Sequence, residues 1–138
     1  REEVEKILAG DYEFLLKSPY NLCREFYIEC TCNMMRPRTI VDYERIPWIL
    51  DAGTVRITFD SDVRAAIGSY DIFDPGLPAL SVLEPGKLIL EVKFTEMLPQ
   101  LLRDVLPPPA AEFTAVSKYV LCYEKTRYMN GFEYWYET

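Results

Sequence analysis

The sequence predicts an α+β domain, an antiparallel β-sheet with flanking helices. Apolar residues recur at helical spacing through the first third, the period changes to two from Arg36 onward, and helical spacing returns after Thr95 and Ser117. With 138 residues, 49% of them hydrophobic and 27% charged, the chain can bury one core and is too short for two ordinary domains, so 1–138 reads as a single domain.

The elements follow in order. Val4, Ile7 and Leu8 form a short apolar stripe that stops at Gly10, and Asp11 is placed to cap a turn or two ending before Pro19. Asn21 is placed to cap a longer helix in which Cys23, Tyr27, Cys30 and Met34 share one face, a packing stripe. Thr39 to Ile46 is a weakly alternating strand. Thr54, Arg56, Thr58 and Asp60 alternate with Val55, Ile57 and Phe59, and Lys87, Ile89, Glu91 and Lys93 alternate with Leu88, Leu90, Val92 and Phe94, giving two further strands. Between these two, Gly68 to Pro85 reads as a long excursion closed by Glu84-Pro85-Gly86. Thr95 is placed to cap a helix carrying Met97, Leu98, Leu101, Leu102, Val105 and Leu106, stopped by Pro107, Pro108 and Pro109. A last helix from about Ser117 should present Val116, Tyr119, Val120 and Tyr123 inward, ahead of an aromatic tail, Phe132 to Tyr136.

Composition excludes several chemistries. The chain has no histidine, which removes imidazole bases, Ser-His-Asp and Cys-His pairs, and zinc sites of the His-Cys kind. Its 22 acidic and 15 basic residues argue against a non-specific nucleic-acid coat while permitting a local cationic site. The segment Arg1 to Gly10 lacks a signal-peptide core and no run reaches the length of a membrane span, so the expected compartment is the cytosol. Cys23, Cys30, Cys32 and Cys122 are expected as reduced, mostly buried thiols. No P-loop, Rossmann glycine fingerprint or G-x-S-x-G elbow occurs.

The charged strand faces allow two readings. Facing bulk water, they are solubilising surface. Facing a shared concavity, Arg45, Arg56 and Lys93 form a cationic groove around the carboxylate of Glu91. Arginine forks and mobile lysines can hold a polyanion along its length, while a hard ion such as Mg2+ needs only one or two protein carboxylates beside phosphate oxygens. Phosphoryl transfer depends on positioning and charge neutralisation, for which no histidine is required.

The segments Arg36-Pro-Arg38 with Val41-Asp42-Tyr43-Glu44-Arg45, Val55-Arg56-Ile57-Thr58-Phe59-Asp60 with Arg64 beyond, Leu90-Glu91-Val92-Lys93-Phe94, and Ser117-Lys118-Tyr119-Val120-Leu121-Cys122 follow one another in an order that resembles the VTC domain. This is the polyphosphate polymerase domain of the triphosphate tunnel metalloenzyme superfamily. The resemblance runs from about Ile7 to Tyr123. It implies that the sheet forms part of a tunnel-like barrel whose lumen binds inorganic polyphosphate, triphosphate or ATP. On the matching positions it implies Arg45, Arg56, Arg64, Lys93 and Lys118 as phosphate-binding residues, Arg38 less directly, and Glu91 as the ligand of Mg2+ or Mn2+. Arg56, Lys93 and Glu91 are then the catalytic set. The implied activity is metal-dependent phosphoryl transfer, either polyphosphate synthesis from ATP or the processing of triphosphate and polyphosphate. A non-catalytic polyphosphate-binding module and an interaction domain are the alternatives. The resemblance further implies that this chain is the C-terminal half of a tunnel, completed by an upstream half or by a second copy, and is inactive toward ATP by itself.

Overall fold

A computed structural model describes residues 1–51, 54–106, 108 and 111–129 of the chain. Two small helices and a 3₁₀ turn open the fold: α1 (Glu2–Ala9), the turn Glu13–Lys17, and α2 (Asn21–Thr31). Gly10 ends α1 at φ +81°, a left-handed conformation that costs glycine little, and its N–H reaches back to the Ile7 and Lys6 carbonyls. The Asp11 carboxylate accepts from the Glu13 N–H at 3.4 Å, so it supports the 3₁₀ turn from two residues away. Tyr12, Leu15 and Cys30 form a buried cluster on which Ile7, Phe14, Cys23, Phe26 and Tyr27 pack. The expected stripe on α2 is therefore present at Cys23, Tyr27 and Cys30, but it stops there. The helix ends at Thr31, and Met34 lies beyond it, exposed, at φ +57°. Asn21 is the first helical residue, and Tyr20 precedes it without a side-chain cap.

The rest of the fold is an antiparallel sheet of β1 (Val41–Leu50), β2 (Val55–Ala66), β3 (Ala79–Ser81) and β4 (Ile89–Lys93). Its centre is β2, with β1 along one side and, along the other, β4 beside its first half and β3 beside its last three residues. The excursion from Gly68 to Pro85 thus contains a strand. The first strand runs past its expected end at Ile46 and through Pro47. It can do so because β1 pairs only with β2 among the described residues, and an edge strand tolerates a residue that lacks an N–H. The four described strands form an open sheet, not a closed barrel. Closure demands that the last strand return to the outer edge of the first, and small closed barrels use about eight strands.

One irregularity decides where the polar and apolar faces lie. The β1–β2 register slips between Asp42↔Arg64 and Glu44↔Ser61, so Tyr43 on β1 stands opposite two residues of β2, Asp62 and Val63. Asp62 takes the left-handed conformation, φ +49°, that such a bulge uses. The extra residue inverts the alternation of β2. Arg56, Thr58 and Asp60 before the bulge therefore share a face with Val63 and Ala65 after it. Val63 and Ala65 are buried with Cys122 of α4 (Lys118–Thr126), and Val41, Tyr43, Val82, Leu83 and Ile89 complete that core.

Two helices differ from expectation. The helix expected to begin at Thr95 begins at Gln100 as α3 (Gln100–Val105), preceded by Pro99. A residue before proline is disfavoured in the helical region, which keeps Leu98 and Met97 out. Thr95 instead bonds Thr54, its N–H donating to the Thr54 hydroxyl at 3.3 Å. In α4 the buried residues are Cys122 and Thr126, whereas Tyr119 and Val120 are 50% and 45% exposed and Val116 is exposed too. The inward stripe is Lys118, Cys122 and Thr126 at i, i+4 and i+8, because the sheet beneath the helix start carries a buried charge that only a cation can face. Prolines 107 and 109, expected to stop the third helix, and the aromatic tail lie outside the described residues.

The bulge yields a stability prediction. Asp62→Gly should change unfolding free energy in urea by no more than about 0.5 kcal/mol. A β-branched residue pays the left-handed penalty, so Asp62→Val should cost about 1–2 kcal/mol. Equal stability of the two variants would mean that the bulge does not hold this conformation.

Candidate functional site

The register sets the site. Across the three strands the rows are Arg45, Asp60 and Ile89, then Pro47, Thr58 and Glu91, then Ile49, Arg56 and Lys93. Directly paired residues lie on one face, so Arg45, Arg56, Glu91 and Lys93 share it. Helix α4 adds Lys118, its first residue, from the side. Four cations and two carboxylates leave this face two positive charges in excess, on a chain whose formal net charge is −7.

Asp60 is fully buried at its centre. Its Oδ1 accepts from Arg45 Nε at 2.6 Å and its Oδ2 from Arg45 Nη2 at 2.7 Å, a two-pronged pair, while Lys118 Nζ lies 2.6 Å from Oδ2. The Arg45 hydrogen bonds, with those of Lys118, outweigh the burial cost and hold the Asp60 carboxyl at about 2. Arg45 is correspondingly pushed up by the Asp60 hydrogen bond. The Tyr43 ring lies beside both cations, 5.1 Å from the Arg45 guanidinium carbon and 5.2 Å from Lys118 Nζ, so its π-face adds to their attraction.

The other half of the face is looser. Lys93 Nζ meets Glu91 Oε1 at 2.9 Å, with both side chains partly exposed. That hydrogen bond, with Lys118 and Arg45 nearby, pulls the Glu91 carboxyl below its usual range. Arg56 is exposed and makes no ion pair among the described residues. Arg45, Arg56, Thr58, Glu91 and Lys93 together line a cleft of about 60 Å³.

Arg64 stands apart from this group. It lies beyond the bulge, on the face opposite Val63 and Ala65, and pairs with Asp42 at 2.6 Å and Asp62 at 3.4 Å. Arg38 lies outside the sheet, its carbonyl accepting from the Tyr70 hydroxyl at 3.3 Å. A larger cleft of about 310 Å³ sits behind the bulge, lined by Ser61, Asp62, Ser81, Glu84 and Lys87 among others. Among the described residues its one lining cation, Lys87, already holds Glu84 at 2.7 Å, so it offers an anion little.

The profile of the VTC domain matches residues 1–127. The chain belongs to the VTC domain family. No curated protein and no solved structure matches it. Membership gives this VTC domain a polyphosphate-related function, and the strand register gathers Arg45, Arg56, Glu91 and Lys93 on one face, to which α4 adds Lys118 through Asp60. The role of Asp60 as buried counter-charge was not legible in its motif alone. The available signal was its position, an acidic residue on the polar parity of β2, four residues after Arg56 and two after Thr58.

The four cysteines of this VTC domain are free thiols. Cys30 and Cys122 are buried, Cys23 is half-buried and Cys32 is exposed at the end of α2. Burial raises the Cys122 thiol and, against the nearby Arg36, that of Cys30, so neither is poised as a thiolate. Among the described residues no helix is long and apolar enough to cross a membrane.

Asp60 makes the fold acid-sensitive in a defined window. Its folded value near 2 lies below the ordinary 3.8, so the stabilisation is fully present above about pH 4 and is lost as pH falls toward 2. Asp60→Asn strands Arg45 and Lys118 without their counter-charge and should cost about 3 kcal/mol at neutral pH. Its unfolding free energy should also fall less than that of the wild type between pH 4 and 2. Urea titrations across that range check both, and parallel pH profiles would contradict the assignment.

Proposed function

We propose that the face formed by Arg45, Arg56, Lys93, Lys118 and Glu91 binds the phosphates of inorganic polyphosphate, triphosphate or ATP and supports metal-dependent phosphoryl transfer. The observation that carries the reading is the register: three strands and a helix place four cations on one face around a cleft lined by a carboxylate. The cations divide by mobility. Arg45 and Lys118 are fixed by Asp60 and set the electrostatic floor, whereas Arg56 and Lys93 have exposed ends that can close on phosphate oxygens.

The donor set fits a phosphate-bridged ion and does not fit an all-protein cage. Among the described residues no group of three His, Cys, Asp or Glu side chains converges. Asp60 has both oxygens engaged, so Glu91 is the carboxylate of this face that would hold Mg2+ or Mn2+, with phosphate and water completing the shell. The ion would supply charge neutralisation between phosphate oxygens. The protein's own part is orientation: Arg56 and Lys93 hold the anion while Glu91 stays ionised beside them. Polymer extension from ATP is the direction that family membership favours, with the partner that completes the face being an upstream segment or a second copy of the chain.

Titration calorimetry with triphosphate tests the site. Arg56→Ala should cost on the order of 1.5 to 3 kcal/mol of affinity, and wild-type binding should weaken as salt rises. Unchanged affinity in both Arg56→Ala and Lys93→Ala would return these residues to solvated surface. Glu91→Gln keeps size and hydrogen bonding but removes the charge. It should abolish metal-dependent turnover of ATP or polyphosphate by the complete protein, tunnel half and partner together, while leaving thermal unfolding near that of the wild type, and full turnover at unchanged metal concentration would exclude Glu91 as the ligand.

A further inference from the structure

Thr58 sits on the central strand between Arg56 and Asp60, with Pro47 beside it on β1 and Glu91 beside it on β4. The residue is 2% exposed, and its hydroxyl oxygen is buried with no hydrogen-bond partner among the described residues. A buried hydroxyl without a partner costs about 1–3 kcal/mol, so it calls for a reason. None of the acceptors around it bonds this hydroxyl. Both Asp60 oxygens are held by Arg45 and Lys118, Glu91 gives Oε1 to Lys93, and Pro47 has no polar side chain. Arginine and lysine offer only donors. What this position lacks is an acceptor, in a cleft whose surplus charge is positive.

We infer that Thr58 Oγ1 is a phosphate-contacting donor, giving its hydrogen to a non-bridging oxygen of the phosphate held by Arg56 and Lys93. The inference rests on the phosphate-binding reading of this face and adds a residue to it. The cleft of about 60 Å³ that Thr58 lines is shared with Arg45, Arg56, Glu91 and Lys93, and the Lys93 side chain is 69% exposed. An entering phosphate takes Lys93 Nζ from Glu91, and the opened path ends on the Thr58 hydroxyl. The hydroxyl then reads oxygen position where the cations read charge, since a short hydroxyl on a central strand has one place to donate.

The experiment compares wild type with Thr58→Val, Thr58→Ser and Arg56→Ala, using triphosphate calorimetry and thermal unfolding without ligand. Valine keeps the shape and removes the orphan hydroxyl. Thr58→Val should therefore melt at the wild-type temperature or above it, yet bind triphosphate about tenfold more weakly, while Thr58→Ser stays within about twofold of wild type. If Arg56→Ala weakens binding and Thr58→Val does not, the phosphate site stands and the Thr58 assignment falls. A lower melting temperature in Thr58→Val, or failure to fold, would show that the hydroxyl serves the fold through a buried water and would overturn the assignment. No triphosphate binding by the wild type would remove both readings together.

Discussion

A carboxylate with no exposed surface holds this fold and its candidate site in one arrangement. Asp60 takes a two-pronged contact from Arg45 on β1 and a third contact from Lys118 on α4, so one anion joins the edge strand, the central strand and the last helix. Burying a lone carboxylate would cost several kcal/mol, and burying it with fewer partners would leave part of that cost in place. The register of β1 on β2 and the seating of α4 are thus linked: a slip by one residue would carry Arg45 to the other face and leave Asp60 uncompensated. The bulge at Asp62 serves the same arrangement. It turns Val63 and Ala65 toward Cys122, so one face carries a packed apolar patch under α4 and a charged patch beside it.

That geometry separates two kinds of cation. Arg45 and Lys118 spend their charge inside the protein and lie against Tyr43, whereas Arg56 and Lys93 keep exposed ends. A phosphate chain meeting this face would find the first pair already ordered and the second pair able to move. Ordered donors lose little entropy on binding, and mobile ones adapt to oxygens whose spacing varies along a polymer. Among the described residues Glu91 is ion-paired with Lys93 alone, the arrangement expected of a carboxylate that exchanges one positive partner for another.

Much of this was legible in the chain. The period-two alternation of Val55 to Asp60 and of Leu88 to Phe94 placed Arg56, Glu91 and Lys93 on polar faces, and pairing of β2 with β4 joins those faces. What alternation cannot show is a bulge. Arg64 carries a charge in the same strand and the same numerical parity as Arg56, yet the extra residue at 62 sends it to the opposite face and to Asp42. The inward face of α4 departs from its most apolar face for a related reason. Hydropathy favours Tyr119 and Val120 over Lys118 and Thr126, but the surface beneath the helix start is the Asp60 carboxylate, and tertiary charge outweighs local apolarity. The strand within the 68–85 excursion carries only three residues, too few for any periodicity to register.

A crystal structure of the protein with triphosphate and Mn2+, read by anomalous scattering, tests the central claim most directly. The account predicts phosphate oxygens within hydrogen-bond distance of Arg56 and Lys93, the Asp60 contacts to Arg45 and Lys118 retained, and a manganese peak bridging Glu91 and phosphate. Triphosphate bound elsewhere, with Lys93 still on Glu91 and no metal beside that carboxylate, would contradict it.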